Sequence, residues 1–167
     1  MSKRRVVITG LGIVSPVGST VDVAWKNVLD GKSGIGPITR FDVSAWPVRF
    51  HGPVVGFEAE KYLSPKELRK MDPFMHYGYG AAADALKDSG IEVTPANAHR
   101  IGVTMGAGIG GLDTIEENYR KYAETNSPKR ISPFFVPGSI INMISGHISI
   151  NFKLTGPNLA TVTACTT

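Results

Sequence analysis

The sequence predicts a layered α/β fold, on two observations. Short apolar runs rich in β-branched residues alternate with stretches of helical period, and glycine or proline punctuates almost every junction. Residues 5–9 are one such run, apolar at three successive positions as suits a strand covered on both faces, and residues 100–105 read as another. At 167 residues and 42% hydrophobic content, the chain can bury a sizeable core.

The elements follow in order. Residues 5–9 form the first expected strand and end in the loop Gly10-Leu11-Gly12 and Ser15-Pro16-Val17-Gly18. Ser19 or Thr20 can cap a helix whose apolar positions Val21, Ala24, Trp25, Val28 and Leu29 keep helical spacing until Gly31 stops it. Residues 32–60 read as an irregular excursion with short strands, interrupted by Pro37, Pro47 and Pro53 and anchored by Trp46, Phe50 and Phe57. Ser64-Pro65-Lys66-Glu67 is a sharper start signal: a serine cap, proline in the first turn and glutamate three residues after the cap to close a capping box. Asp72-Pro73 repeats the cap-then-proline arrangement and opens a helix that runs through Ala81-Ala82-Ala83 to Gly90, with small residues that permit close packing.

Residues 100–105 then form a second buried strand, which runs into the glycine-rich 106–111. Residues 112–123 read as a helix with Ile115, Tyr119 and Tyr122 on one stripe. Pro128, Pro133 and Pro137 mark a loop carrying aromatics, and the apolar segment 140–154 reads as a buried helix. After Gly156-Pro157, residues 158–163 are strand-like and deliver Cys165.

Charge and composition narrow the function. The 18 basic and 14 acidic residues give a mild excess that does not by itself indicate nucleic acid, and no run approaches the ~18 apolar residues of a membrane span. The basic start, Met1 to Arg5, lacks the apolar core of a signal peptide, and a single cysteine forms no internal disulfide, so the chain fits the cytoplasm. His51, His76, His99 and His147 have no metal-ligand spacing, and no metal or other cofactor is expected.

Three features remain as candidates. Residues 106–111 match G-x-G-x-x-G between a strand and a helix, but no second strand ending in an acid follows, so the glycines are better read as close backbone approach to a neighbouring element or a ligand. Lys66, Arg69 and Lys70 share a helix face whose single acid, Glu67, is committed to the cap, and Lys129 and Arg130 make a second compact basic site. Two small positive patches suit an acidic protein partner better than a phosphate backbone. Cys165, alone among small neighbours after a strand, has the setting of a nucleophile at a strand-to-helix corner, where backbone amides favour thiolate; a lone cysteine is more commonly a small buried hydrophobe.

Taken together, Val6-Val7-Ile8-Thr9-Gly10-Leu11-Gly12, Gly108-Ile109-Gly110-Gly111, Ile131-Ser132-Pro133-Phe134-Phe135-Val136-Pro137, Gly156-Pro157 and Thr163-Ala164-Cys165-Thr166 stand in the order and spacing of the elongating β-ketoacyl-[acyl-carrier-protein] synthases of bacterial type II fatty-acid synthesis. The chain resembles the N-terminal part of that family along its whole length. The resemblance implies a thiolase-like layered fold, of which residues 1–167 hold an incomplete first half, in a homodimeric enzyme. It implies that Cys165 accepts the acyl chain as a thioester and that Gly108, Ile109, Phe134 and Phe135 border the acyl pocket. It further implies that Lys66, Arg69, Lys70, Lys129 and Arg130 bind acyl carrier protein, loaded with acyl or malonyl groups.

The implied reaction is a decarboxylating condensation with malonyl carrier protein. Its two histidines, its lysine and a second oxyanion-hole amide are expected beyond residue 167, so the 167-residue chain alone is expected to be inactive and to fold poorly. Two rival readings are a non-catalytic docking or chain-length subunit, which Cys165 disfavours, and a thiolase acting on coenzyme A esters, which the basic patches and the Ser132 to Phe135 segment disfavour.

Overall fold

Residues 3–167 are described by a computed structural model, so Met1 and Ser2 of the basic start lie outside the described residues. The chain divides into two compact units, residues through Glu58 with Gly80–Gly90, and Ala59–Tyr79 with Ile91–Thr167.

In the first unit, Thr20 is the N-cap of α1 (Val21–Leu29): its extended backbone lets the hydroxyl accept the Val23 N–H at 3.4 Å, and Gly31 leaves the helix with φ +66°. Asn27 Nδ2 donates to the Val17 carbonyl at 2.7 Å, which ties the preceding loop to this helix, and the Ser19 hydroxyl donates to the Val55 carbonyl at 2.6 Å, which ties the excursion to the residues just before it. The excursion carries one short antiparallel pair, β1 (Gly36–Pro37) with β2 (Phe50–His51).

Residues 5–9 do not form the expected strand. Val6 and Ile8 are 94% and 83% exposed and no ladder partner stands beside them among the described residues. A strand exists through its neighbours' hydrogen bonds, so an apolar β-branched run without them stays irregular. The loop that follows is the part held close: a side chain on Gly10 or Gly12 would collide with the Ala85 or Ala81 carbonyl, and the Leu11 N–H donates to the Asp88 carboxylate at 2.9 Å. Trp46 and Phe50, expected as anchors, are exposed instead, and of the α1 stripe only Ala24 is buried. Trp25 and Val28 line an open apolar groove with Leu11, Ile13 and Val17.

The second unit holds most of the buried apolar side chains. Helix α2 (Pro65–Leu68) starts on the predicted capping box, with the Ser64 hydroxyl accepting the Glu67 N–H and the Glu67 carboxylate accepting the Ser64 N–H at 2.8 Å. Asp72 then opens α3 (Pro73–Ser89), whose first turns bury Met75 and Tyr79. Strand β3 (Val103–Gly106) is shorter than predicted because Ala98–Arg100 closes a 3-10 turn before it. Helix α4 (Leu112–Thr125) is followed by a 3-10 turn, Pro128–Arg130, and the short α5 (Phe135–Ser139), both inside what reads as loop.

Helix α6 (Met143–Phe152) buries Ile144, Ser145 and Ile148, ends at Lys153 in the left-handed region (φ +58°), and returns the chain so that Leu154 is buried too. Met75 and Ile144, at 0% and 1% exposure, each contribute roughly 1.5–3 kcal/mol by leaving water. Strand β4 (Asn158–Thr161) pairs parallel with β3 in the register Val103↔Asn158 to Gly106↔Thr161. Asn158 fixes its start, donating from Nδ2 to the Ser145 carbonyl at 2.9 Å and to the Ser149 hydroxyl at 2.5 Å.

The capping box gives a stability test. Hydrogen bonds from the Ser64 hydroxyl and the Ser64 N–H hold the Glu67 carboxyl below its ordinary range. Its contribution is therefore complete above the unfolded value, about pH 4.3, and is lost as pH falls through the lower folded value. Ser64→Ala is expected to cost about 1 kcal/mol near neutral pH, read by denaturant unfolding, with the difference shrinking as Glu67 protonates.

Candidate active site

The parallel β3–β4 pair places the two chain segments that leave its carboxyl edge side by side. The ladder continues one bond beyond the strands, from the Ala107 N–H to the Thr161 carbonyl at 3.2 Å. From there β3 runs into the glycine loop 106–111 and β4 into the turn that carries Cys165. The loop can lie against this turn because positions 106 and 108 carry no side chain: a Cβ on Gly106 would meet the Thr167 methyl, and one on Gly108 would sit 3.3 Å from the Ala164 carbonyl. The close-approach reading of these glycines is the one the structure bears out.

Cys165 is exposed in the 3-10 turn Ala164–Thr166, after the strand expected to deliver it. Ala164, just before it, has φ +53°, a left-handed conformation that a residue with a Cβ adopts only under constraint. Local hydrogen bonds supply that constraint, from the Thr163 N–H to Thr167 Oγ1 at 2.7 Å and from the Thr166 hydroxyl to the Thr163 carbonyl at 2.9 Å. The sharp turn leaves the thiol open to solvent at the carboxyl edge of a parallel pair, where α/β proteins assemble ligand sites.

At its other end the glycine loop rests on α5. Gly110 has φ +93° and its added Cβ would lie 2.5 Å from the Ser139 carbonyl, while the Gly111 N–H donates to that same carbonyl at 2.9 Å. The loop thus connects the cysteine turn to the Phe134–Phe135 segment. Ile109, at its crest, is 67% exposed. Phe135 and Ile131 line an apolar groove with Ile115, Tyr119 and Tyr122 of the predicted α4 stripe.

Sequence reasoning missed Asn118 in that stripe. It is 5% exposed, accepts the Ser132 N–H at 2.7 Å and donates to the Thr114 carbonyl at 2.7 Å, so it pins the start of the aromatic segment to α4. A lone amide among apolar residues at helical spacing was the available signal.

The basic residues divide. Lys66 and Arg69 on and after α2, and Lys129 and Arg130 in their 3-10 turn, are exposed, and no acid pairs with them among the described residues. Lys70 is half-buried: its ammonium lies 5.0 Å from the centre of the Phe134 ring, a cation–π contact that joins the basic segment to the aromatic one. Glu67 is occupied as predicted, and its second oxygen accepts Asn151 Nδ2 at 3.3 Å, which anchors α2 to α6. Among the described residues, no cluster of histidine, cysteine and acidic side chains could hold a metal ion, and no helix is long and apolar enough to cross a membrane.

Residues 3–167 match the family described as β-ketoacyl synthase, N-terminal domain. All 167 residues align at 54% identity with a 3-oxoacyl-[acyl-carrier-protein] synthase 2 of Vibrio cholerae and at 51% with one of Coxiella burnetii. The chain spans 40% of the length of each of these relatives. In three dimensions it is similar to the ishigamide ketosynthase/chain length factor, with TM-score 0.78 and 26% identity over 98% of this chain and 40% of that one. The architecture is therefore the thiolase-like α/β fold of the ketosynthases.

His147, half-buried on α6, reports on the anchoring of α2. Burial lowers its pKa, the Glu67 charge raises it and Lys70 lowers it further. The unfolded chain then binds more protons, so stability rises with pH up to about 6.5 and falls below it. An NMR titration of His147 is expected to show a midpoint below 6.5, and His147→Gln is expected to flatten this part of the stability profile.

Proposed function

Because the chain belongs to the β-ketoacyl synthase family, we propose that it supplies the acyl-accepting part of a 3-oxoacyl-[acyl-carrier-protein] synthase that elongates fatty acids. The observation that carries this is Cys165, an exposed thiol held by a constrained turn beside a loop of glycines. The Cys165 thiolate attacks the carbonyl of an acyl group linked to its carrier, the carrier thiol leaves, and the chain is held as a thioester. Malonyl carrier protein then loses carbon dioxide, and the carbanion attacks that thioester carbonyl and expels the Cys165 thiolate. The product is a 3-oxoacyl group on its carrier, one two-carbon unit longer.

The amide of Cys165 is one oxyanion donor, and Gly108, Ile109, Phe134 and Phe135 border the acyl chain. Decarboxylation generates the nucleophile, so no metal or organic cofactor enters this scheme. The residues that promote it belong to the complete enzyme, which acts as a homodimer in the cytoplasm. The partner is acyl carrier protein, as the names of the relatives state for those enzymes. Lys66, Arg69, Lys129 and Arg130 receive its acidic surface, since they are exposed and unpaired among the described residues, and Lys70 completes the patch beside Phe134.

In the full-length enzyme, Cys165→Ala is expected to reduce acyl transfer to background; retained condensation contradicts the nucleophile. Reversing charge at Lys66 and Lys129 together is expected to lower kcat/KM for a carrier-linked donor about tenfold more than for a coenzyme A donor, and the loss is expected to shrink as salt rises. Equal losses with both donors contradict the docking surface.

A further inference from the structure

We propose that Asp72 is the positioning residue of the glycine-rich loop: its single carboxylate caps two helices at once and thereby sets where Ile109 stands. The inference rests on the acyl-transfer reading and adds to it a residue that neither contacts the acyl chain nor belongs to the carrier surface.

Helix α4 begins without a cap of its own. Its N-cap is Gly111, which has no side chain, so the first-turn N–H groups need an acceptor from elsewhere. Asp72 provides it: Oδ2 accepts the Thr114 N–H, three residues after the cap, at 2.8 Å. This is the bond that an aspartate at position 111 would make for itself. The other oxygen, Oδ1, accepts the Phe74 N–H at 3.3 Å in the first turn of α3, and the Asp72 carbonyl accepts the Met75 N–H at 2.9 Å. Asp72 is 4% exposed, so water does not compete for these bonds, and its negative charge faces the positive ends of two helices.

The capping group cannot be local for a steric reason. A Cβ on Gly111 would lie 2.8 Å from the Gly138 carbonyl and 3.0 Å from Asp72 Oδ2 itself. Close packing of the loop on α5 demands glycine at 111, and glycine at 111 demands a cap from another element. With the Gly111 N–H already bound to the Ser139 carbonyl, Asp72 supplies the second fixed point of the segment that follows Ile109. Asp72 also lies two residues after Lys70, with the buried Met71 between them. The same carboxylate therefore relates the basic segment to the loop at the pocket.

The test uses the full-length enzyme. Asp72→Ser keeps an oxygen for the α3 cap but is one bond too short to reach Thr114, and Asp72→Asn keeps the reach with a weaker, uncharged acceptor. Two quantities are read: amide hydrogen exchange over residues 108–118, and the ratio of Cys165 acylation rates with tetradecanoyl against hexanoyl carrier protein. Asp72→Ser is expected to raise exchange and to lower the ratio, each by about fivefold or more, as loss of a helix cap predicts. Asp72→Asn is expected to fall between it and the unsubstituted enzyme.

Thr20→Ala, which removes the cap of α1, controls for general destabilisation and is expected to leave the ratio within about twofold. An unchanged ratio in folded Asp72→Ser, whether or not exchange rises, overturns the assignment. Should Asp72→Ser not fold, Asp72→Asn decides: a ratio lowered by about twofold or more supports the role, and a ratio matching the unsubstituted enzyme overturns it. Failure of the unsubstituted enzyme to acylate Cys165 overturns the proposed function and this inference with it, and is distinguished because it precedes any substitution.

Discussion

The parallel ladder between β3 and β4 is the constraint on which the candidate site depends. Its register sets Gly106 opposite Thr161, so the loop leaving one strand and the turn leaving the other emerge at the same edge. A shift of one residue would carry the glycines away from the cysteine turn and turn the side chains of the shifted strand to the other face. The register is held from below, by the buried Val103 and by Asn158 hooked onto α6. From above, the loop lies close against the cysteine turn, where a Cβ on Gly106 would meet the Thr167 methyl and one on Gly108 would sit 3.3 Å from the Ala164 carbonyl.

What the sequence made legible was the chemistry that acts within a few residues. The caps at Thr20, at Ser64 with Glu67 and at Asp72 are short-range hydrogen bonds written in residue type, and they stand where spacing puts them. The strand leading to Cys165 and the glycine loop were legible for the same reason. Long-range pairing was not. Residues 5–9 have every local mark of a strand but no neighbour to pair with among the described residues, and Trp25, Trp46 and Phe50 are apolar without being buried.

Lys70 and Asp72 show the same limit at single side chains. Helical spacing put Lys70 on a solvated face, whereas a phenylalanine ring 64 positions further along the chain draws its ammonium aside. Asp72 reads as the cap of the helix it precedes, and its second bond, to Thr114, becomes visible only once the two helix starts are seen together. In both cases a residue serves two elements at once, and one-dimensional spacing records only the nearer.

The candidate site is a chain of small fixings around one exposed sulfur. The ladder aligns the cysteine turn with the loop, glycines close the distance, Ser139 and Asp72 hold the far end of the loop, and Asn118 holds the aromatic segment beyond it. On the proposed function, these fixings hold an acyl chain on Cys165. Peptide mass mapping of the full-length enzyme after incubation with acyl-loaded carrier protein alone tests it most directly. An acyl mass increment is expected on the peptide containing Cys165, removable by hydroxylamine as a thioester is; an enzyme that turns over with that peptide unmodified contradicts the acyl-accepting role.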